Sequence, residues 1–290
     1  MHPICEPLVV NFVPTGMVPT RAMSPSVPLQ PDEIIRDVVA AAEVGITIVH
    51  LHARDDRGQP THRKDVYARI IAGIREQVPD LVICVSTSGR KAKRFEERAE
   101  PLELKGDVKP DMASLTLSSL NFPRQASVNA PETIAALAGR MRDRGIVPEL
   151  EIFDLGMVNV LHYLLSRGVL QPPLYANLLF GNLAGAQADL LEIGAVASRL
   201  PAGTIWSLAG IGAAQLPMSG IAVAAAPGVR VGLEDNLWFD SERTRLATNL
   251  QLVQRVHHVA HALNRPVMDA AEFRRRFFHV DHGIRLARAA

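Results

Sequence analysis

The chain of 290 residues is 48% hydrophobic and 21% charged, with a formal net charge of +1; it can bury a sizeable core but carries no basic field for nucleic acid or an anionic membrane, so neither is expected as a partner. Cys5 and Cys84, the only cysteines, form no CxxC pattern, which predicts reduced thiols and no disulfide framework. The amino terminus lacks a basic region leading into an apolar core, and no apolar run approaches a membrane span, so a cytoplasmic protein is expected.

The run from Leu8 to Thr15 reads as a first strand ending in the turn signal Pro14-Thr15-Gly16, followed by a long Pro- and Ser-containing loop to Pro31. Loops of that length without structure of their own are usually functional or disordered. Pro31 and two acids open a helix through Glu43, closed by Gly45, with proline and negative charge at the end that favours them. Further strands are predicted at Ile46 to His52, Leu81 to Ser86, Asp111 to Thr116, Val147 to Phe153, Leu174 to Phe180, Thr204 to Ala209 and Val229 to Leu233. Helices follow at Lys64 to Gln77, Arg90 to Leu104, Pro131 to Arg144, Asp154 to Arg167 and Gln187 to Arg199, then in a small-residue segment to Ala225 and from a cap at Ser241 to Leu263.

Length alone does not choose between one large barrel and two ordinary domains. Repeated strand–helix units imply parallel strands with helical crossovers, and eight of them match the α/β class of closed (β/α)8 TIM barrel better than an open sheet. A dinucleotide fold lacks its fingerprint, since no GxGxxG follows the first strand and Gly210-Ile211-Gly212 has no third glycine. We therefore expect one domain over 1–290, with a carboxy-terminal extension at about 264–290 that packs on the barrel or on a neighbouring subunit.

Barrel active sites sit at the carboxyl ends of the strands. In Ile48-Val49-His50-Leu51-His52-Ala53-Arg54-Asp55 the period of two puts both histidines on one face. They are either a hydrogen-bonded pair or two ligands of a metal ion. In Val229-Arg230-Val231-Gly232-Leu233-Glu234-Asp235-Asn236 the same period puts Arg230, Gly232 and Glu234 together, with Asp235 just beyond. The first and eighth strands adjoin in a closed barrel, so Glu234 can reach the ion that His50 and His52 would hold. Two imidazoles and a carboxylate with a position left for substrate are a catalytic donor set, most naturally for zinc. Arg230 would offer a fixed charge to a carboxylate or an oxyanion. A structural ion pair of Arg230 with Glu234 or Asp235 would explain the charges but not the histidines.

Other strand ends are less specific. Ser86 shares a face with Cys84 and Ser88, and its hydroxyl could bind substrate, relay a proton or only form the turn; Ser114 and Thr116 are similar. Glu149 and Glu151 share a face and need partners inside a barrel, which could be the metal ligands or arginines such as Arg54. His257, His258 and His261 lie on the last helix and read as solvated or packing residues.

Val13-Pro14-Thr15-Gly16, His50-Leu51-His52-Ala53-Arg54-Asp55, Ser86-Thr87-Ser88-Gly89, Pro148-Glu149-Leu150-Glu151 and Arg230 to Asn236, in that order, resemble the β-keto acid cleavage enzyme family, which includes the 3-keto-5-aminohexanoate cleavage enzyme. The resemblance runs over nearly the whole chain. It implies a zinc-dependent acyltransferase that converts a β-keto acid and acetyl-CoA into acetoacetate and a new acyl-CoA. His50, His52 and Glu234 would be the zinc ligands, and Ser86, Arg230 and Asp235 would be catalytic, with Asp235 expected to take a proton from acetyl-CoA. Thr15, Gly16, Ser88, Gly89, Thr116 and Glu151 are expected to contact substrate. Family members that act on the amino-keto acid resemble one another in an acidic residue just beyond the Pro-Thr-Gly turn. Here the stretch is Met17-Val18-Pro19-Thr20-Arg21, which predicts a substrate without an amino group. A homotetramer is likewise implied only by the resemblance. Competing readings are a zinc aldolase, lyase or hydrolase that works without CoA, and a non-catalytic zinc-binding barrel.

Overall fold

In a computed structural model that describes residues 6–278, eight parallel strands close into a barrel: β1 (Val9–Phe12), β2 (Ile48–Leu51), β3 (Val82–Val85), β4 (Met112–Thr116), β5 (Val147–Ile152), β6 (Tyr175–Phe180), β7 (Ile205–Gly210) and β8 (Gly228–Val231). Each strand pairs with its successor in sequence, and β8 pairs with β1 through Asn11↔Arg230 and Phe12↔Val231. This is the (β/α)8 barrel that the alternating pattern predicts. Helices α1 (Pro31–Val44), α2 (Lys64–Gln77), α3 (Phe95–Ala99), α4 (Pro131–Arg144), α5 (Leu155–Ser166), α6 (Leu190–Ala197), α7 (Gln215–Ala225) and α8 (Asn249–Ala262) surround it. The strands are buried on both faces, as parallel strands under helices must be; every residue of β2, β3 and β8 is buried.

The barrel interior is layered. Its floor is apolar, built from Val9, Ile48, Val82 and Met112, and it is plugged by Phe273 and Phe277 of α9 (Ala270–Phe277). Both rings are buried, which stabilises the closed end by roughly 1.5–3 kcal/mol each. The carboxy-terminal segment thus packs on its own barrel as far as Phe278; the remainder of the expected extension lies outside the described residues. Above the floor the lining turns polar through Asn11, His50, Cys84, Glu149, Asn177, Ser207 and Arg230, all buried.

Three helices are shorter than their patterns suggest. Helix α8 starts at Thr248, whose hydroxyl accepts from the Gln251 amide while the Gln251 side chain accepts from the Thr248 amide. That reciprocal box outcompetes Ser241, whose hydroxyl is spent on Glu242. Asp189 caps α6, its side chain accepting from the Glu192 amide at 2.9 Å. Helix α3 gives way to a 3-10 turn at Glu100–Glu103, where Pro101 has no amide to continue the α-helical ladder. The loop after β4 also contains an antiparallel hairpin, Leu120–Phe122 with Gln125–Ser127, that its short strands concealed.

Candidate active site

His50 is the penultimate residue of β2 and His52 stands just beyond its end, so both rings project into the barrel mouth from adjacent layers. Their Nε2 atoms are 3.2 Å apart, and His52 Nε2 is 3.2 Å from Glu234 Oε1. Ligand atoms in a tetrahedral zinc site with bonds of about 2.0–2.2 Å stand roughly 3.3–3.6 Å from one another, so the three donors already have nearly the required spacing. The other Glu234 oxygen, Oε2, is buried without a partner. A buried carboxylate oxygen lacking a donor is costly unless a cation serves it. The donor chemistry therefore fits zinc. A second group of potential ligands, His50, Cys84 and Glu149, shares the opposite edge of the His50 ring.

Glu149 fixes that ring. Its Oε2 accepts from His50 Nδ1 at 2.5 Å and lies 3.1 Å from Cys84 Sγ, while its Oε1 accepts from Asn11 Nδ2 at 2.7 Å. Burial alone would make His50 less basic, but the Glu149 and Glu234 carboxylates prevail and hold it up to about 9. Burial opposes ionisation of Glu149 in turn, yet the His50 charge keeps it down at about 2. His52 is shifted downward, chiefly by burial. The buried carboxylates thus favour positive charge beside His50, and a divalent cation on its Nε2 side would answer that demand.

Arg230 is the other centre of charge. Its Nε donates to Asp235 Oδ2 at 2.9 Å, and its second terminal nitrogen donates to Glu234 Oε1 at 2.9 Å and Asp235 Oδ1 at 3.2 Å. The ion pair and the histidine cluster are therefore parts of one arrangement. Arg230 Nη1 has no hydrogen-bond partner and lies 4.0 Å from Glu151, whose carboxylate accepts from Thr116 Oγ1 at 2.6 Å. Asp235 is pushed upward by burial and by the neighbouring Glu234 charge, although Arg230 opposes this.

The surrounding loops explain several motif residues. Gly16 has φ +67°, and a Cβ there would meet Glu234 Cγ at 2.6 Å, so the glycine lets the first loop close onto the carboxylate. Arg54 donates to the carbonyls of Gly16 (2.6 Å), Pro19 (2.9 Å) and Gly58 (3.1 Å); it holds this loop rather than anchoring Glu149 or Glu151. Thr15 is fully buried with an unpartnered hydroxyl. Ser86 Oγ accepts from the Ser88 amide at 3.2 Å and makes no hydrogen bond to Asp235 or Arg230. Gly89 is required by space, since a Cβ would stand 2.7 Å from both Arg98 Nη1 and Val128 O.

His257 bonds to the Gly45 carbonyl at 2.7 Å, and His258 and His261 are exposed, all on the outer layer. Sequence reasoning passed over His62, buried near His52 and pushed down to about 4 by that burial, and Asn11, whose contact with Glu149 spans the barrel. It also passed over Arg90, whose guanidinium carbon lies 3.5 Å from the centre of the Phe122 ring. Each gains its partner only from the folded barrel and its loops.

Fold and site together define a (β/α)8 barrel with a His-His-Glu donor set and an arginine-bound aspartate at the carboxyl ends of its strands. The chain belongs to the β-keto acid cleavage enzyme family, whose model matches residues 7–277. It is 33% identical to the 3-keto-5-aminohexanoate cleavage enzyme of Fusobacterium nucleatum, over 93% of this chain and 97% of that protein. It is 34% identical to the 3-oxoadipate:acetyl-CoA acetyltransferase of Cupriavidus necator, over 93% and 94%. Among solved structures, the ternary complex of ObcA with a C4-CoA adduct and oxalate superposes with a TM-score of 0.79 at 23% identity, over 88% of this chain and 68% of that one; at that identity it shows the shared fold.

Proposed function

We propose that the protein is a β-keto acid:acetyl-CoA acyltransferase, converting R–CO–CH2–COO⁻ and acetyl-CoA into R–CO–S–CoA and acetoacetate. The observation that carries this reading is Arg230, which binds Asp235 and Glu234 together and so sets a base of raised pKa beside the His50–His52–Glu234 donor set. The names of the relatives, which include an acetyltransferase of 3-oxoadipate and acetyl-CoA, support the same chemistry. His50, His52 and Glu234 would hold zinc, which when bound supplies a Lewis acid for the keto oxygen.

The products decide which proton Asp235 removes. The new acyl-CoA keeps the keto carbon and acetoacetate keeps C1 and C2, so the new bond joins C2 to the acetyl carbonyl. Asp235 therefore takes the C2 proton of the keto acid, which corrects the sequence-based expectation that it takes a proton from acetyl-CoA. The C–H electron pair attacks the thioester and CoA thiolate departs. The thiolate then adds to the keto carbon, the C2–C3 bond breaks, and Asp235 returns its proton to the acetoacetate carbanion. Arg230 keeps Asp235 oriented throughout, and its unpartnered Nη1 is free to donate to a developing oxyanion. Ser86, Ser88, Gly89, Thr15, Gly16, Thr116 and Glu151 form the surrounding wall in this proposal.

The keto acid lacks an amino group. Met17 and Val18 offer no carboxylate, and Arg21 is held in a 2.6 Å ion pair with Glu33. A homotetramer also forms part of the proposal. The outer faces of α5 and α6 expose Leu155, Tyr163, Leu190 and Leu191, a run of apolar side chains suited to contact between copies. A cytoplasmic location rests on the sequence reading; no helix among the described residues is long and apolar enough to cross a membrane. The reading is tested by measuring acetoacetate from zinc-loaded protein and a keto acid, with and without acetyl-CoA. Release that requires acetyl-CoA is expected. Cleavage at an equal rate without it would assign a CoA-independent lyase or hydrolase instead.

A further inference from the structure

Arg90 carries a positive charge at the barrel mouth that the chemistry above leaves unused. Its guanidinium lies 3.5 Å over the Phe122 ring, and its Nε is buried without a hydrogen-bond partner. Among the described residues no carboxylate pairs with it, because the acids of the mouth are committed elsewhere: Glu234 to Arg230 and His52, Asp235 to Arg230, Glu151 to Thr116. Burial lowers its basicity, and the fields of Glu234, Glu151 and Asp235 oppose that change.

The loop that carries Arg90 and the hairpin beneath it are also held in place. Arg98 donates to the Thr87 carbonyl at 2.8 Å and to Asn129 Oδ1 at 2.7 Å, Gly89 admits Arg98 against the loop, and Ser88 Oγ accepts from the Arg90 amide at 3.3 Å. Phe122 meets Phe153 edge-on at 5.8 Å, and Asn182 donates to the Asn121 carbonyl at 3.0 Å. Stacking on one face leaves the in-plane donors of a guanidinium available as a fork for a carboxylate.

We infer that Arg90, seated on Phe122, receives a second carboxylate at the far end of the keto acid, so that the substrate class is 3-oxo dicarboxylic acids. The inference rests on the proposed acyltransfer. The proposed chemistry sets the reacting end of the keto acid at His50, His52, Glu234 and Arg230, whereas Arg90 is seated on Phe122 of the partly exposed hairpin after β4, a position suited to an anion at the other end of the molecule. The phosphates of CoA are a poor alternative source: the whole pantetheine arm separates them from the sulfur that must reach the reacting carbon. An uncharged first loop at Val18 and a free cation at Arg90 select in the same direction, against a substrate cation and for an anion.

The test compares 3-oxoadipate with 3-oxohexanoate, which has the same carbon count and lacks the second carboxylate, in wild-type, Arg90→Gln and Arg90→Lys proteins. Losing a charge-assisted fork lowers kcat/KM for 3-oxoadipate by about tenfold to a hundredfold in Arg90→Gln, against less than about threefold for 3-oxohexanoate, with Arg90→Lys between; the KM for acetyl-CoA stays within the same narrow range. Equal losses on both keto acids, or a loss confined to the KM for acetyl-CoA, overturn the inference. Calorimetric binding of adipate against hexanoate separates it from the acyltransfer reading. Adipate binding that depends on Arg90 upholds the subsite even if no CoA exchange occurs, and exchange without preference for the dicarboxylate overturns the subsite while leaving acyltransfer intact.

Discussion

Glu149 reaches across the barrel from β5 to the Nδ1 of His50 on β2, at 2.5 Å, and so turns the Nε2 of that ring toward His52 and Glu234. A hydrogen-bonded carboxylate behind an imidazole orients it and strengthens its lone pair as a ligand, and loss of such a partner typically costs about 10–100-fold in metal affinity. Glu149→Gln is therefore expected to weaken zinc binding by about tenfold or more by that precedent, read by competition with a chromophoric chelator. Glu149→Ala should in addition lower stability by roughly 1–3 kcal/mol, because His50 and Asn11 lose a buried acceptor. Unchanged zinc affinity in a folded Glu149→Gln protein would contradict this role.

Gly16 stands against Glu234 in the same way that Glu149 stands behind His50. An alanine there meets Glu234 Cγ at 2.6 Å and must adopt φ +67°, a left-handed conformation costing about 1–2 kcal/mol. Gly58→Ala is the control, since it has φ +72° but its Cβ would touch only Leu29, at 3.4 Å. We expect Gly16→Ala to lose more stability than Gly58→Ala, because the clash with Glu234 adds to the shared backbone cost, and only Gly16→Ala to lose zinc affinity. Equal zinc affinity in the two would show that the glycine serves the turn alone.

Val18 is 43% exposed in the loop that Arg54 ties down through Gly16 and Pro19. Introducing a carboxylate by Val18→Glu should raise kcat/KM for 3-keto-5-aminohexanoate by about tenfold, the scale of one charge-assisted contact. A variant that binds zinc normally and shows no gain would place the amino-group determinant elsewhere.

Glu103 receives Arg140 and Arg144 of α4. Partial burial raises its pKa, but the two guanidinium groups outweigh that and hold it below its ordinary value. A carboxyl depressed on folding contributes stability above its unfolded pKa, about 4.3, and that contribution disappears as pH falls through the lower folded value. Glu103→Gln should thus cost at most about 1 kcal/mol near neutrality, given solvent screening, and nothing in strong acid. A deficit that grows on acidification would reverse the sign of this argument.

The barrel was legible because short, largely apolar strands alternate with helices eight times, a pattern that survives errors at either end. His50 with His52, and Arg230 with Glu234, were legible for a geometric reason: the period of two places them on one face before any partner is known. Helix starts were less so, since Ser241 and Thr248 are equally good caps in isolation and only the answering Gln251 side chain separates them. Glu149 and Arg90 were the hardest to place. Glu149 meets His50 across a closed barrel, a contact of high sequence separation, and Arg90 acquires its environment from a three-residue hairpin strand too short to carry a periodic signal.

The most direct test follows the label from doubly ¹³C-labelled acetyl-CoA by mass spectrometry, with zinc-loaded protein and a panel of β-keto acids. Acyl transfer through C2 predicts an unlabelled new acyl-CoA whose acyl group comes from the keto acid, together with acetoacetate carrying both labelled carbons. Label in the new acyl-CoA, or no new acyl-CoA with any keto acid, would contradict the proposed reaction.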